Sequence, residues 1–146
     1  MILRRIHKFL ALKWELKKAI LWALLVSGAI RLCLLLLPFQ KVLNISRFIS
    51  QRPFADLAHN LEPGEICWAV EAAGSCLPAT TCLAQALAGK VLLAWKRQDA
   101  TLCIGVAKDG EVLKAHAWLK SEGKIVIGDT GLEEYSKLPC FDEAMK

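Results

Sequence analysis

Three observations predict an α+β fold, with N-terminal helices, a central helix and a small antiparallel sheet. An apolar helical stretch closes at Pro38, a strong helix follows Thr81, and alternating segments beyond residue 100 are separated by tight turn signals. The 146 residues suffice for one modest core and not for two independent ones. With 55% hydrophobic residues a disordered chain is excluded, because that much apolar surface cannot stay solvated. The net charge of +5 is concentrated near the N-terminus, beside the greasiest stretch. Nucleic-acid binding fits poorly: the single tyrosine, Tyr135, has no basic and aromatic platform around it, and phosphate-binding glycine motifs are missing.

From Met1 to Lys18, Ile2, Ile6, Phe9, Lys13 and Lys17 fall three or four apart, and Leu3, Leu10 and Trp14 add bulk to one side, which is helical spacing. Ala19 to Phe39 follows as 21 residues whose only charge is Arg31. That length just reaches the roughly 20 residues needed to cross a bilayer, with Trp22 near one end and basic residues on both sides. Against a crossing stands Arg31, well inside the run, since a charge at the bilayer centre costs at least about 3 kcal/mol. Three readings stay open: a helix packed on its own domain or a partner, a helix lying on a membrane surface, and a true span. The corresponding location is cytoplasmic, peripheral at the inner face of a membrane if the helix meets lipid.

Lys41 to Asn60 predicts one or two short helices, with Pro53 in a first turn. Glu62-Pro63-Gly64 reads as a break, Ile66 to Ala73 as a brief resumption, and Gly74 to Pro78 as a second break. The chain thus divides into a basic, hydrophobic helical region, 1–60, and a second part, 61–146.

Six cysteines invite a disulfide reading, but no signal-peptide geometry precedes them, so reduced thiols are expected and Cys33 and Cys103 are read as buried filler. Thr80-Thr81-Cys82-Leu83-Ala84-Gln85-Ala86-Leu87-Ala88 opens a helix running to about Lys96, with Leu83, Leu87, Val91 and Ala94 on its buried stripe. Thr80 or Thr81 caps it. Cys82 then sits in the first turn, where unpaired backbone amides and the helix dipole favour a thiolate.

Thr101 to Ala107 alternates as a strand, and Lys108-Asp109-Gly110-Glu111 is a hairpin turn. The strand Val112 to Lys120 puts Leu113, Ala115, Ala117 and Leu119 on one face and Lys114, His116, Trp118 and Lys120 on the other. Ser121-Glu122-Gly123 turns the chain into a third strand, Lys124 to Ile127, which ends at Gly128-Asp129-Thr130. A helix start presents a thiol, a nearby strand an imidazole, and the end of the next strand a carboxylate. Cys82, His116 and Asp129 therefore make the set needed for covalent acyl transfer: nucleophile, base, and a group fixing the imidazole tautomer.

Thr81-Cys82-Leu83-Ala84-Gln85-Ala86-Leu87, Ile104-Gly105-Val106, Ala115-His116-Ala117-Trp118 and Val126-Ile127-Gly128-Asp129 resemble the transglutaminase-like leader peptidases of lasso-peptide biosynthesis. The similarity spans about residues 65–138, and the basic, leucine-rich region ending in Leu37-Pro38-Phe39 resembles the preceding part of such proteins. The resemblance implies a transglutaminase/papain-like core and cleavage of a ribosomally made precursor peptide between leader and core. It also implies a separate leader-recognition protein and a separate ATP-dependent macrolactam cyclase as partners, with no cofactor. Carried over, Cys82 attacks the scissile carbonyl, His116 moves the proton to the leaving amine, and Asp129 orients the ring.

Relatives often have proline after the Cys-Leu pair, where this chain has Ala84, while Cys76-Leu77-Pro78 has the proline; Cys76 is thus a rival nucleophile. The Cys82 amide is the natural oxyanion donor, and the role of Gln85 stays open. Trp118 is expected to shield the cleft edge or to pack on the N-terminal helices. Cys67, Cys76 and Cys82 with His116 lack the tight spacing of a zinc knuckle, so no metal is assigned. The alternative from another class is a noncatalytic, membrane-associated adaptor whose C-terminal fold presents a peptide groove.

Overall fold

A computed structural model describes residues 10–52, 61–77, 81–129, 131–132 and 135–137. The first long helix, α1, spans Trp14–Leu36. Pro38 lacks the N–H that would continue it and serves as the N-terminal cap of α2, Phe39–Ser50. On α1 the stripe Ala19, Ile20, Ala23, Val26, Ser27 and Ile30 is buried. Its small members let the helix settle closely against the rest of the fold, so α1 packs on its own domain along one face. Residues 53–60, with Pro53 and the edge of the 60/61 division, lie outside the described residues.

The next helix, α3, spans Pro63–Cys76 and starts where the sequence reads as a break. Pro63 takes the first helical position, where its missing N–H costs nothing. Glu62 and Glu65 form a reciprocal capping box, the Glu62 amide donating to Glu65 Oε2 at 2.9 Å. Ile66 to Ala73 is therefore the middle of a helix of 14 residues, which extends the brief helical resumption read from sequence into both neighbouring breaks.

Helix α4, Cys82–Trp95, is the centre of the molecule. It packs against α1, α2 and α3 on one side and against the sheet on the other. Ala84, Ala86, Leu87, Ala88, Val91, Leu92 and Leu93 are all buried, whereas Leu83 and Ala94, expected on a single stripe, are half-buried. A helix held between two layers is apolar nearly all round, which blurs a one-sided pattern.

The sheet is antiparallel, with the strands in the spatial order third, second, first, fourth of the chain. Strands β1, Thr101–Asp109, and β2, Val112–Ser121, pair in unbroken register from Thr101 with Lys120 to Asp109 with Val112. The turn is thus the pair Gly110-Glu111, two residues shorter than the expected hairpin turn. Lys114 and Asp109 form an ion pair beside it. Glu122 and Gly123, both with positive φ, turn the chain into β3, Lys124–Ile127. Strand β4, Ser136–Lys137, adds a short edge to β1 that the sequence did not announce.

Leu102, Ala117, Leu119 and Ile127 join the helical core. Leu113 and Ala115, predicted on the same buried face, are exposed in the outer half of the hairpin. On the opposite face Trp118 is also buried, and Cys103 is buried and disulfide-bonded, its partner lying outside the described residues. This corrects the free thiol expected at Cys103. The sequence reads Leu138-Pro139-Cys140-Phe141 as an anchor for the C-terminal tail, and these residues lie outside the described ones too.

Burial pushes the Cys67 thiol up to about 11 from an ordinary 9.0, with Glu71 adding repulsion. An unfolded thiol ionises first as the pH rises past 9.0, so the contribution of Cys67 to stability is present below that value and is lost on the way to about 11. Melting temperatures measured across that interval are expected to fall more steeply for the wild type than for Cys67→Ala.

Candidate active site

Thr81 caps α4, its side-chain oxygen accepting from the Ala84 amide at 3.2 Å. Such a cap is worth about 1 kcal/mol, and here it also fixes where the helix starts. Cys82 therefore occupies the first helical position, half-buried. Its Sγ accepts a hydrogen bond from the backbone amide of Ala117 at 3.4 Å. Strand β3 pairs with β2 only over Leu119 to Ser121. In an antiparallel strand, amides two residues apart face the same edge, so the Ala117 amide lies just beyond the last β3 partner. The thiol takes the place of a strand there.

His116 is the neighbour of that amide, and its Nε2 is 2.9 Å from the carbonyl oxygen of Gly128. A carbonyl only accepts, so Nε2 carries the hydrogen, and in the neutral ring Nδ1 is left as the basic atom. The residue expected to hold the ring was Asp129. Its carboxylate is exposed, and the ring N–H donates instead to the backbone carbonyl one residue earlier. Two backbone contacts, Ala117 N–H to the Cys82 sulfur and ring N–H of His116 to the Gly128 carbonyl, therefore tie the start of α4 and the end of β3 to neighbouring residues of β2, and the Asp129 carboxylate makes neither.

The imidazole rests between two aromatic side chains. Tyr135 lies 5.4 Å away at a tilt, and Trp118 lies 6.2 Å away and nearly parallel. Gly105 stands directly opposite His116 across the hairpin. A β-carbon at Gly105 would come within 2.9 Å of the Trp118 ring and 3.1 Å of Tyr135 Cβ, so glycine in β1 makes room for this aromatic seat. Trp118 lies on the sheet face away from the helices, beside the imidazole. Its indole Nε1 is buried with no hydrogen-bond partner among the described residues.

Sequence reasoning did not identify the Ala117 amide, the Gly128 carbonyl, Gly105 or Tyr135 as parts of the site. Gly105 faces His116 because the turn is Gly110-Glu111; the four-residue turn read from sequence would have put Lys114 opposite it. Backbone groups leave no mark in the sequence. Cys76, the rival nucleophile, is exposed at the last position of α3. The Gln85 side chain, one turn along α4 from Cys82, lies over Gly74 of α3. Among the described residues no group of three or more His, Cys, Asp or Glu is placed to hold a metal ion.

A thiol at a helix N-terminus, an imidazole with Nδ1 free to accept a proton, and a backbone clamp on Nε2 are parts from which thiol-based acyl transfer can be built. No curated protein and no solved structure matches the chain. The profile of the transglutaminase-like superfamily matches residues 25–140, a segment that begins inside α1 and contains Cys82, His116 and Asp129. With the α+β architecture and a match over most of its length, the chain belongs to the transglutaminase-like superfamily.

Proposed function

We propose that the protein is a cysteine peptidase that removes the leader from a ribosomally made lasso precursor before a separate ATP-dependent cyclase closes the macrolactam. The observation that carries the reading is the Cys82 thiol at the start of α4, bonded to the amide that follows His116, whose ring is held through Nε2. The lasso assignment rests on the resemblance of Ala115-His116-Ala117-Trp118 and the residues around Cys82, together with superfamily membership.

In this reading His116 Nδ1 takes the Cys82 proton and the sulfur attacks the scissile carbonyl. The carbon–sulfur bond forms, the carbon–nitrogen bond breaks, and the imidazolium returns the proton to the leaving amine. Water activated by the same ring then hydrolyses the thioester, restoring the thiol. The Gly128 carbonyl keeps the ring aimed throughout, with Asp129 following it in the chain. The precursor is delivered by a separate leader-recognition protein.

Mass spectrometry of a precursor incubated with the purified protein and that recognition protein tests the reading. A single cut between leader and core, blocked by prior treatment with iodoacetamide, is the expected result. A precursor bound yet left intact under the same conditions sinks it in favour of a noncatalytic peptide-binding adaptor.

A further inference from the structure

The outward face of α1 carries Trp14, Leu21, Leu25, Leu32, Leu35 and Leu36, each more than half exposed. Positions 14, 18, 21, 25, 28, 32 and 35 advance in alternating steps of four and three, so they form one unbroken line along the helix. Lys18 is the single charge in that line. The adjoining helix α2 extends the surface with exposed Ile45 and Phe48. Between the two helices runs an apolar groove of about 220 Å³, lined by Trp22, Leu25, Ala29, Ile45, Ile49 and Trp95. Isolated exposed leucines need no explanation, but a contiguous face of this kind marks an interaction site.

Charge identifies the occupant. Residues 10–52 contain seven lysines and arginines against one acid, Glu15. Lys13, Lys17 and Lys18 stand at the start of α1, and Lys41, Arg47 and Arg52 lie on or just beyond α2. Two copies meeting through this face would bring like charge together, whereas an apolar stripe framed by cations complements an anionic bilayer. The buried stripe on the other side of α1 packs on α3 and α4, helices of the same core. A perpendicular crossing would pull those elements into lipid, so the helix is oriented to lie along the surface.

We propose that the α1–α2 face docks on an anionic lipid surface, with the leucines entering the acyl boundary and the lysines on headgroup phosphates. The proposal is independent of the peptidase reading, since it concerns a different face and its test involves no cleavage. In co-sedimentation with vesicles, the full chain is expected to bind mixed phosphatidylcholine–phosphatidylglycerol membranes about tenfold more tightly than phosphatidylcholine alone, and less so as salt rises. Leu32→Glu with Leu36→Glu, at exposed positions, is expected to lower that binding about tenfold at an unchanged melting temperature. Lys13→Gln with Lys18→Gln keeps the leucines and is expected to erase the preference for anionic vesicles. Equal binding to both vesicle types, or no binding to either, overturns the proposal. So does a concentration-dependent dimer that the leucine substitutions dissolve, which assigns the face to a second copy.

Discussion

Cys82→Ala is expected to lower cleavage of the precursor by about 10⁴-fold or more, because nothing else at the start of α4 can form the acyl intermediate. The fold should survive the change. Cys82 is half-buried, and what the variant loses is the hydrogen bond from the Ala117 amide, worth about 1 kcal/mol. His116→Gln keeps a side chain able to donate to Gly128 but removes the base, and a loss of about 10²- to 10⁴-fold is expected. Asp129→Asn separates the two ways of holding the ring. The observed clamp is the Gly128 carbonyl, so the asparagine variant should lose less than about tenfold, the scale expected of an exposed surface charge. Rates measured under single-turnover conditions, with melting curves for each variant, check the series. Wild-type cleavage by Cys82→Ala would move the nucleophile elsewhere, to Cys76 first.

The second large effect is expected at Gly128. Its φ of +82° lies in the left-handed region, and a β-carbon there would stand 2.9 Å from the Ala117 carbonyl oxygen and 3.2 Å from Trp118 Cα. Both obstacles are backbone, which cannot rotate away. Gly128→Val therefore combines strained φ with overpacking, together about 3 kcal/mol, or a fall of about 10 °C in melting temperature. Gly123→Ala is the control: its φ is also positive, at +76°, but its surroundings are open, so about 1 kcal/mol is expected. Displacing Gly128 also moves the carbonyl that holds His116. Cleavage below the melting temperature should then fall further than the unfolded fraction accounts for, and circular dichroism recorded with the rate measurement distinguishes the two. Equal stability losses for the two variants would mean that the close approach to β2 is not a constraint.

The hairpin and the start of α4 were legible because their signals are local. Asp109-Gly110 at the turn and the alternation through Trp118 and Leu119 need no knowledge of the rest of the chain, and neither does Thr81 ahead of Cys82. Pro63 was misread because a proline after a polar residue marks a helix start as readily as a break, and only the capping partner Glu65 distinguishes them. Leu113 was assigned to the core by alternation, yet its exposure depends on how far the helical layer reaches along the hairpin. Six cysteines at irregular spacing do not say which of them pair, so the bonded state of Cys103 was not readable. Element order alone suggested Cys82, His116 and Asp129 as a set, whereas the atoms that hold the sulfur and the ring are main-chain atoms, common to every residue type.

The contact between the Cys82 sulfur and the Ala117 amide joins residues 35 apart in sequence. Helix α4 and the β1–β2 hairpin are each built from local interactions, but neither contains this contact, which forms only when the two dock. Loop closure makes such long-range contacts a late gain in folding. A chain still emerging from the ribosome, or one with its helices formed and its sheet undocked, therefore has a thiol and an imidazole but no assembled pair. On the proposed peptidase reading, the order of assembly itself keeps the nucleophile from being presented with its base until the rest of the protein has folded.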